Sequence, residues 1–248
     1  MVTPLIHGVG TPEETWQSWP TSWPLLDLPD TPPLVVAPHP DDEILGAGGL
    51  IARLATGRPT TGHAAGVEVV AVTDGEASHP GSTVYSRAEL AARRRDETDE
   101  ALRRLGLDAP TIHHLGHPDG HVDEPALTAA LTELLNPGRW CLASWRGDGH
   151  PDHEAVGRAA AKACADTGAH LVEYPIWTWH WAEPGDPRVP WNRCRRLPLA
   201  EAERAAKRHA LTAFVTQVHP LGPRPEDAPI LPPHVLARFD RPTEVFFV

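Results

Sequence analysis

Two short stretches of the chain place metal-binding and acid–base side chains together. The first, at residues 39–43, reads His-Pro-Asp-Asp-Glu, and the second, at 150–153, reads His-Pro-Asp-His. Imidazole nitrogens and carboxylate oxygens bind zinc in catalytic sites, where three protein groups leave one position for water. Two such stretches in one chain therefore indicate a metal-activated water, which is the chemistry of a hydrolase.

The proline of each stretch predicts where its histidine lies. Proline favours the first position of a helix and holds the preceding residue extended, so His39 and His150 should end a strand. The residue three positions later lies in the first helical turn, from which it can reach the same point. Two histidines and one carboxylate among His39, Asp42, His150 and His153 would bind zinc, with one histidine to spare. Asp41 would then be free to act on the water.

Each stretch taken alone has a simpler interpretation. Asp41, Asp42 and Glu43 could be only favourable charges at a helix N-terminus. His150 and His153 could be surface histidines on a polar loop. A matching His-Pro-Asp order after two separate strands is harder to obtain by accident, so we favour the functional interpretation.

Buried strands should position both stretches. The apolar runs at 34–37 and 140–144 directly precede them and are typical of strands buried on both faces. Further strands are predicted at 67–72, 111–115, 170–174 and 244–248, and helices near 42–55, 86–105, 124–135, 151–165 and 199–217. This alternation predicts an α/β fold with a mostly parallel, doubly wound sheet and helices on both faces. The polar residues that follow the strands should meet at the carboxyl edge of the sheet.

The 248 residues show no internal repeat and no low-complexity linker, so we predict a single domain spanning 1–248. Within it, residues 1–30 are rich in Trp and Pro and should form an irregular N-terminal arm packed on the domain. Residues 176–248 should form a C-terminal segment on the substrate side.

Composition argues against some classes of partner and favours one cellular compartment. A net charge of -11 argues against a nucleic-acid or anionic-membrane partner. No apolar stretch is long enough to span a bilayer, and the N-terminus lacks the features of a signal peptide. Three cysteines, Cys141, Cys164 and Cys194, show no metal-site spacing and suit a reducing compartment. We therefore predict a cytoplasmic protein without a membrane span, and homo-oligomer formation stays open.

Residues 37–43, Ala-Pro-His-Pro-Asp-Asp-Glu, together with 150–153, resemble the signature pair of the PIG-L/LmbE-like deacetylases. The resemblance covers roughly residues 33–175. It implies a zinc-dependent amidase that removes acyl groups from amino sugars on a Rossmann-like scaffold.

The resemblance also implies roles for individual residues. His39, Asp42 and His153 match the zinc ligands, for one Zn²⁺ per chain or another divalent metal. Asp41 matches the general base. His150 matches the histidine that stabilises the oxyanion, and it would do so together with the metal if it is protonated.

Four residues are predicted substrate contacts: Arg94, Asp119, Asp148 and Trp179. Arg94 matches the arginine of an Arg-x-x-Glu helix that faces the substrate, and Asp119 matches an acidic residue that binds sugar hydroxyls. Asp148 stands where some members carry a Tyr that polarises the acyl carbonyl, so His150 and the metal act alone there or another loop assists. Trp179 belongs to an aromatic cluster that suits either a sugar ring or a packing layer.

Together these observations predict a zinc-dependent hydrolase. It would remove an N-acyl group, such as N-acetyl, from an amino sugar or an amino-sugar-containing small molecule, and its partner would be an N-acylated sugar or glycoside. The alternatives are an amidase acting on another amide, such as a thiol-sugar conjugate, and a non-catalytic sugar-binding relative. The complete set of catalytic residues disfavours the binding protein, since binding alone does not require a base. A metallophosphatase would usually need a second metal.

Overall fold

A seven-stranded sheet forms the centre of the protein, whose structure, a computed structural model, describes residues 8–56 and 66–248. The strands are β1 (Leu34–Ala37), β2 (Glu68–Thr73), β3 (Thr111–His117), β4 (Trp140–Ser144), β5 (His170–Tyr174), β6 (Cys194–Pro198) and β7 (Thr243–Phe247). Their order is β3-β2-β1-β4-β5-β7-β6. The first five strands run parallel, and β7 is antiparallel to both β5 and β6.

The strands that precede the two stretches are neighbours. Leu34 of β1 pairs with Cys141 of β4, and Val36 pairs with Ala143. From this pair the chain winds through β2 and β3 on one side and through β5 on the other. The carboxyl ends of β1 and β4 therefore form the topological switch point, where open α/β sheets bind their ligands.

Helices cover both faces of the sheet. They are α1 (Glu13–Gln17), α2 (Asp42–Thr56), α3 (Arg87–Arg104), α4 (Glu124–Leu134), α5 (Pro151–Thr167), α6 (Thr178–Trp181), α7 (Glu201–Leu211), α8 (Val215–Val218) and α9 (Pro233–Leu236). Alternate residues of β1 point to opposite faces. Val35 packs into one apolar core with Leu50 of α2, whereas Val36 packs into another with Leu127 of α4. The predicted α/β fold, mostly parallel and doubly wound, is confirmed.

Local sequence signals predicted the first two-thirds of the chain best. The strands at 34–37, 140–144 and 170–174 have the predicted bounds. The Ser86 and Glu89 side chains form a capping box at the start of α3, which the Ser-x-x-Glu spacing in the sequence predicts. None of the helices in the described ranges is long and apolar enough to cross a membrane.

Three features of the structure differ from the expectations. The helix predicted at 199–217 is two helices, α7 and α8, separated near Thr212. The edge strand β6 was not predicted, because two adjacent arginines interrupt its apolar residues and Pro198 ends it. The N-terminal arm contains a helix, α1, whose Trp16 packs against Trp179 and Trp191. Residues 1–7 of that arm lie outside the described ranges, and the single domain over 1–248 stays a prediction.

Candidate metal and catalytic site

Three side-chain atoms at the ends of β1 and β4 form a nearly equilateral triangle. Nδ1 of His39 lies 3.3 Å from Oδ2 of Asp42, and Nε2 of His153 lies 3.2 Å from that oxygen. The third side, between the two nitrogens, is 3.3 Å. Zinc bonds of about 2.0–2.1 Å place tetrahedral ligands about 3.3 Å apart. The three predicted ligands therefore fit three corners of a zinc tetrahedron.

Backbone packing brings the two halves of the triangle together. His39 directly follows β1, and Asp42 begins α2. His153 lies in the first turn of α5, and its peptide oxygen accepts a hydrogen bond from the Ser144 hydroxyl at the end of β4 (2.9 Å). Gly157 allows α5 to lie this close to the end of β4, since a Cβ there would lie 2.6 Å from the peptide oxygen of Ser144.

A carboxylate stands behind each ligand histidine. Oδ2 of Asp148 lies 2.8 Å from Nδ1 of His153. Nε2 of His39 lies 3.1 Å from Asp152 and 3.2 Å from Asp119. Such carboxylates fix the tautomer and the ring orientation of a metal-binding histidine. This function of Asp148 and Asp152 was not predicted from the sequence. The place of Asp152 within the second stretch was the signal that could have indicated it.

The charges of the site favour a cation. Burial opposes protonation of His39, but its hydrogen bonds to Asp119, Asp152 and Asp42 raise its pKa well above the ordinary value. Burial likewise opposes protonation of His153, yet Asp42 and Asp148 raise its pKa to about 9. An environment that stabilises positive imidazolium also stabilises a metal ion between neutral imidazoles.

Asp41 has a strained backbone beside the triangle. Its φ of +118° is the one positive value among non-glycine residues in the described ranges. Such a conformation costs of order 1–3 kcal/mol and persists where surrounding contacts impose it. Here the Asp41 N–H donates to Oε2 of Glu43 (3.1 Å), and Arg94 donates to Oδ2 of Asp41 (3.1 Å). Glu43 thus holds the backbone of Asp41 directly before α2.

The Asp41 carboxyl can act as a base near neutral pH. Burial raises its pKa to about 7, although the charge of Arg94 acts in the opposite direction. General bases are most effective when their pKa lies near the working pH. Asp41 also lines the cavity described below, so it can reach a bound molecule.

His150 is a neutral hydrogen-bond donor in this arrangement. Its Nδ1 accepts the N–H of Asp152 (3.2 Å), so the proton of the neutral ring lies on Nε2. Burial, together with the charges of His153 and His39, lowers the pKa of His150 to about 3. The protonated form considered from the sequence is therefore not required, because the neutral ring can stabilise an oxyanion through Nε2–H.

Two of the four predicted substrate contacts are not available to a ligand. Asp148 is fully buried, and its Oδ1 accepts the N–H groups of Ile176 and Thr178 and the Thr178 hydroxyl. It orients His153 instead. Trp179 is also buried and packs edge-to-face on Trp16, with ring centroids 5.1 Å apart.

Arg94 and Asp119 do line the cavity, as does Trp177 rather than Trp179. Arg94 is almost fully buried and donates to the carbonyl oxygens of Pro40 (2.6 Å) and Gly75 (2.7 Å). It therefore holds the loop of Asp41 in place. Asp119 accepts the N–H of Ala77 through Oδ2 (2.8 Å).

A cavity of about 500 Å³ opens onto these residues. His39, Asp41, Asp42, Asp119 and His150 line its polar part. Residues 229–239 supply much of the remainder, chiefly through apolar side chains. The C-terminal segment was predicted on the substrate side, but none of these residues was identified, because they carry no metal-binding or acid–base pattern.

The family model for PIG-L, the GlcNAc-PI de-N-acetylases, matches residues 34–164. The chain belongs to the PIG-L family. The matched range contains both His-Pro-Asp stretches and the three corners of the triangle. A search of curated proteins finds no match to this PIG-L chain.

Solved structures share the fold of this PIG-L chain. The conserved protein TT1542 of Thermus thermophilus is 27% identical, with a TM-score of 0.58 over 89% of this chain and 94% of that one. An N,N'-diacetylchitobiose deacetylase of Pyrococcus horikoshii is 24% identical, with a TM-score of 0.52 over 73% of this chain and 70% of that one. The A40926 pseudoaglycone deacetylase Dbv21 is 20% identical, with a TM-score of 0.60 over 88% and 96%. At these identities the two deacetylases support the fold alone.

Proposed function

We propose that the protein is a zinc-dependent hydrolase that removes an N-acyl group, in the simplest case N-acetyl, from an amino sugar or an amino-sugar-containing small molecule. The triangle of His39, Asp42 and His153 carries this proposal, because its sides fit zinc and because Asp41 stands beside it. Membership of the PIG-L family supports the same reaction. Two solved structures that share the fold are named as deacetylases, which agrees with it.

His39, Asp42 and His153 would hold the metal, and Asp148 and Asp152 would fix the orientation of the two rings. When bound, zinc supplies a water molecule whose pKa is lowered to about 7. Other divalent metals accept the same donors, but the three-ligand set with two imidazoles suits zinc.

Asp41 would accept the proton of the attacking water, since its carboxyl is buried, lines the cavity and has a pKa near neutrality. The Nε2–H of His150 would donate to the oxyanion that forms from the amide carbonyl. The loss of a donor of this kind costs about 10²–10³ in rate. The proton on Asp41 would then pass to the leaving nitrogen, which gives the free amine and the carboxylate.

Asp119 would bind the sugar, because it lines the cavity, in addition to contacting Nε2 of His39 through its Oδ1. Arg94 would act on the substrate indirectly, through the position and charge of Asp41. A cytoplasmic location is part of the proposal and is supported by three buried, unpaired cysteines, Cys141, Cys164 and Cys194.

A metal analysis combined with an amine-release assay tests the proposal. We expect about one zinc per chain and release of free amine from N-acetylglucosamine or its glycosides. The variant Asp41→Asn should keep the zinc and lose nearly all amine release. A protein without bound metal, or a zinc-loaded protein that releases no amine from any acylated amino sugar, would contradict the proposal.

A further inference from the structure

Part of the cavity beside the catalytic residues is an apolar wall. We use this name for six residues, Ile176, Trp177, Ile230, Leu231, Val235 and Phe239. Trp177 and Ile230 are partly exposed within it, whereas Val235 and Phe239 present only a small area. The wall and the zinc triangle line one continuous cavity, so a single molecule can touch both.

The arginines that line this cavity are already engaged by the protein. Arg238 is 3% exposed and donates to the carbonyl oxygens of Val9 (2.6 Å) and Thr11 (3.1 Å), while its third nitrogen contacts Nδ1 of His180 (3.0 Å). Arg94 is 2% exposed and donates to Pro40 and Gly75. Neither guanidinium can therefore form the bidentate contact that selects a phosphate or a carboxylate.

The carboxylates at the polar end also disfavour an anion. Asp41, Asp42 and Asp119 all line the cavity. Like charges brought together in a partly buried site repel more strongly than they do in water. A bound metal would offset this charge only next to the triangle.

We propose that the substrate is an uncharged amphipathic molecule whose hydrophobic group packs on the apolar wall while its amide lies at the triangle. This inference rests on the proposed function for the placement of the amide. The hydrophobic group is either an acyl chain longer than acetyl or an apolar aglycone, since both present the same chemistry to the wall. The cavity of about 500 Å³ lies within the size range of pockets that enclose drug-sized ligands.

A binding experiment tests the wall without requiring hydrolysis. Calorimetry would compare methyl β-glucoside, hexyl β-glucoside and glucose 1-phosphate on the zinc-loaded protein. Each buried methylene strengthens binding about fourfold, so the hexyl glucoside should bind at least about tenfold more tightly than the methyl glucoside. The phosphate should bind most weakly. Equal affinity for the two glucosides, or tightest binding of the phosphate, would overturn the inference.

Hydrolysis then distinguishes the two sources of the hydrophobic group. The assay would compare amine release from N-acetylglucosamine, from N-hexanoylglucosamine and from the hexyl glycoside of N-acetylglucosamine. A higher kcat/KM for the hexanoyl amide assigns the wall to the acyl chain, and a higher value for the hexyl glycoside assigns it to the aglycone. Equal values for all three would refute the inference and leave the proposed deacylation intact. Preferential hexyl glucoside binding with no amide cleaved would instead refute the proposed function.

A matched pair of variants tests whether the apolar wall causes the preference for the hexyl glucoside. Ile230→Asn places a polar group on the wall and should reduce the hexyl-to-methyl preference about tenfold. Val215→Asn makes a similar change at a residue that is 55% exposed and outside the cavity, and it should leave the preference unchanged. Trp177→Gln, at the other partly exposed residue of the wall, is the second wall variant if Ile230→Asn fails to fold. An unchanged preference in a folded wall variant would contradict the proposed location.

Discussion

The two His-Pro-Asp stretches have nearly the same sequence, but their third residues lie in different environments. Asp41 precedes α2, adopts a positive φ and lines the cavity. Asp152 lies in the first turn of α5, is almost fully buried and contacts Nε2 of His39 at 3.1 Å. The same residue type in the same motif position is thus the proposed base in one stretch and the orienting group in the other.

A glutamate comes directly after the fourth residue of each stretch, and its hydrogen bond shows how the two backbones differ. Oε2 of Glu43 accepts the N–H of Asp41 (3.1 Å), whereas Oε1 of Glu154 accepts the N–H of Gly149 (3.2 Å). Both donors have a positive φ, +118° for Asp41 and +88° for Gly149. Gly149, directly before the second stretch, takes this conformation at little cost, whereas in the first stretch the strain falls on Asp41, the proposed base.

The fourth residues of the two stretches, Asp42 and His153, are both corners of the triangle, and their loss should have the largest effect. Asp42→Ala or His153→Ala removes one corner of the triangle, so the zinc content should fall from about one per chain to nearly none. Amine release should fall to background. Elemental analysis after dialysis measures the metal, and His170→Ala, an exposed histidine at the start of β5, is the control. Zinc retained at full stoichiometry in both variants would exclude the triangle as the metal site.

The third residues, Asp41 and Asp152, should give different effects on kcat and zinc affinity when each is changed to Asn. Asp41→Asn removes the base but no ligand, so kcat should fall about 10²–10⁴-fold with the zinc content unchanged. Steady-state kinetics at saturating zinc measures the fall. An Asp41→Asn variant with wild-type kcat would show that another group accepts the proton.

Asp152→Asn is the matched change in the second stretch. It weakens the hydrogen bond behind His39, so zinc affinity should fall about 10–100-fold. Competition with a chelator measures the affinity, and kcat at saturating zinc should change much less than in Asp41→Asn. If Asp152→Asn instead lowered kcat and left zinc affinity intact, the assignment of the two aspartates would be reversed.

The sequence predicted the parts of the molecule that depend on local pattern. Apolar runs and the Ser86 capping box located most strands and the start of α3, because burial and capping act between near neighbours in the chain. The strand β6 was missed since it is an edge strand, where partial exposure allows two adjacent arginines, Arg195 and Arg196, between the buried Cys194 and Leu197.

The candidate site was likewise predicted only where it depends on local pattern. The spacing within each stretch identified the candidate ligands, because three residues span one helical turn. The carboxylate of Asp148 was misassigned, since only the fold shows that its oxygens face His153 and the backbone of 176–178. The apolar wall has ordinary core composition, and no sequence pattern distinguishes apolar side chains that line a cavity from those that fill a core.

The smallest predicted effect concerns the charge beside Asp41. Arg94 lowers the pKa of that carboxyl, while burial raises it to about 7. Arg94→Gln removes the positive charge that lowers this pKa, so the pKa of Asp41 should rise further. A base must be deprotonated to act, and activity therefore rises with pH through this pKa. The acid limb of the kcat/KM profile should consequently move to higher pH in Arg94→Gln.

Arg95→Gln provides the control for that shift, because Arg95 is the next residue of α3 but pairs with Asp74 instead of Asp41. Its acid limb should coincide with that of the wild-type protein. A similar shift in both variants would indicate a general charge effect, and no shift in either would mean that Asp41 is not the group whose deprotonation limits the rate. Because Arg94 contacts no residue of 150–154 in the described hydrogen bonds and ion pairs, the shift tests the first stretch separately from the second.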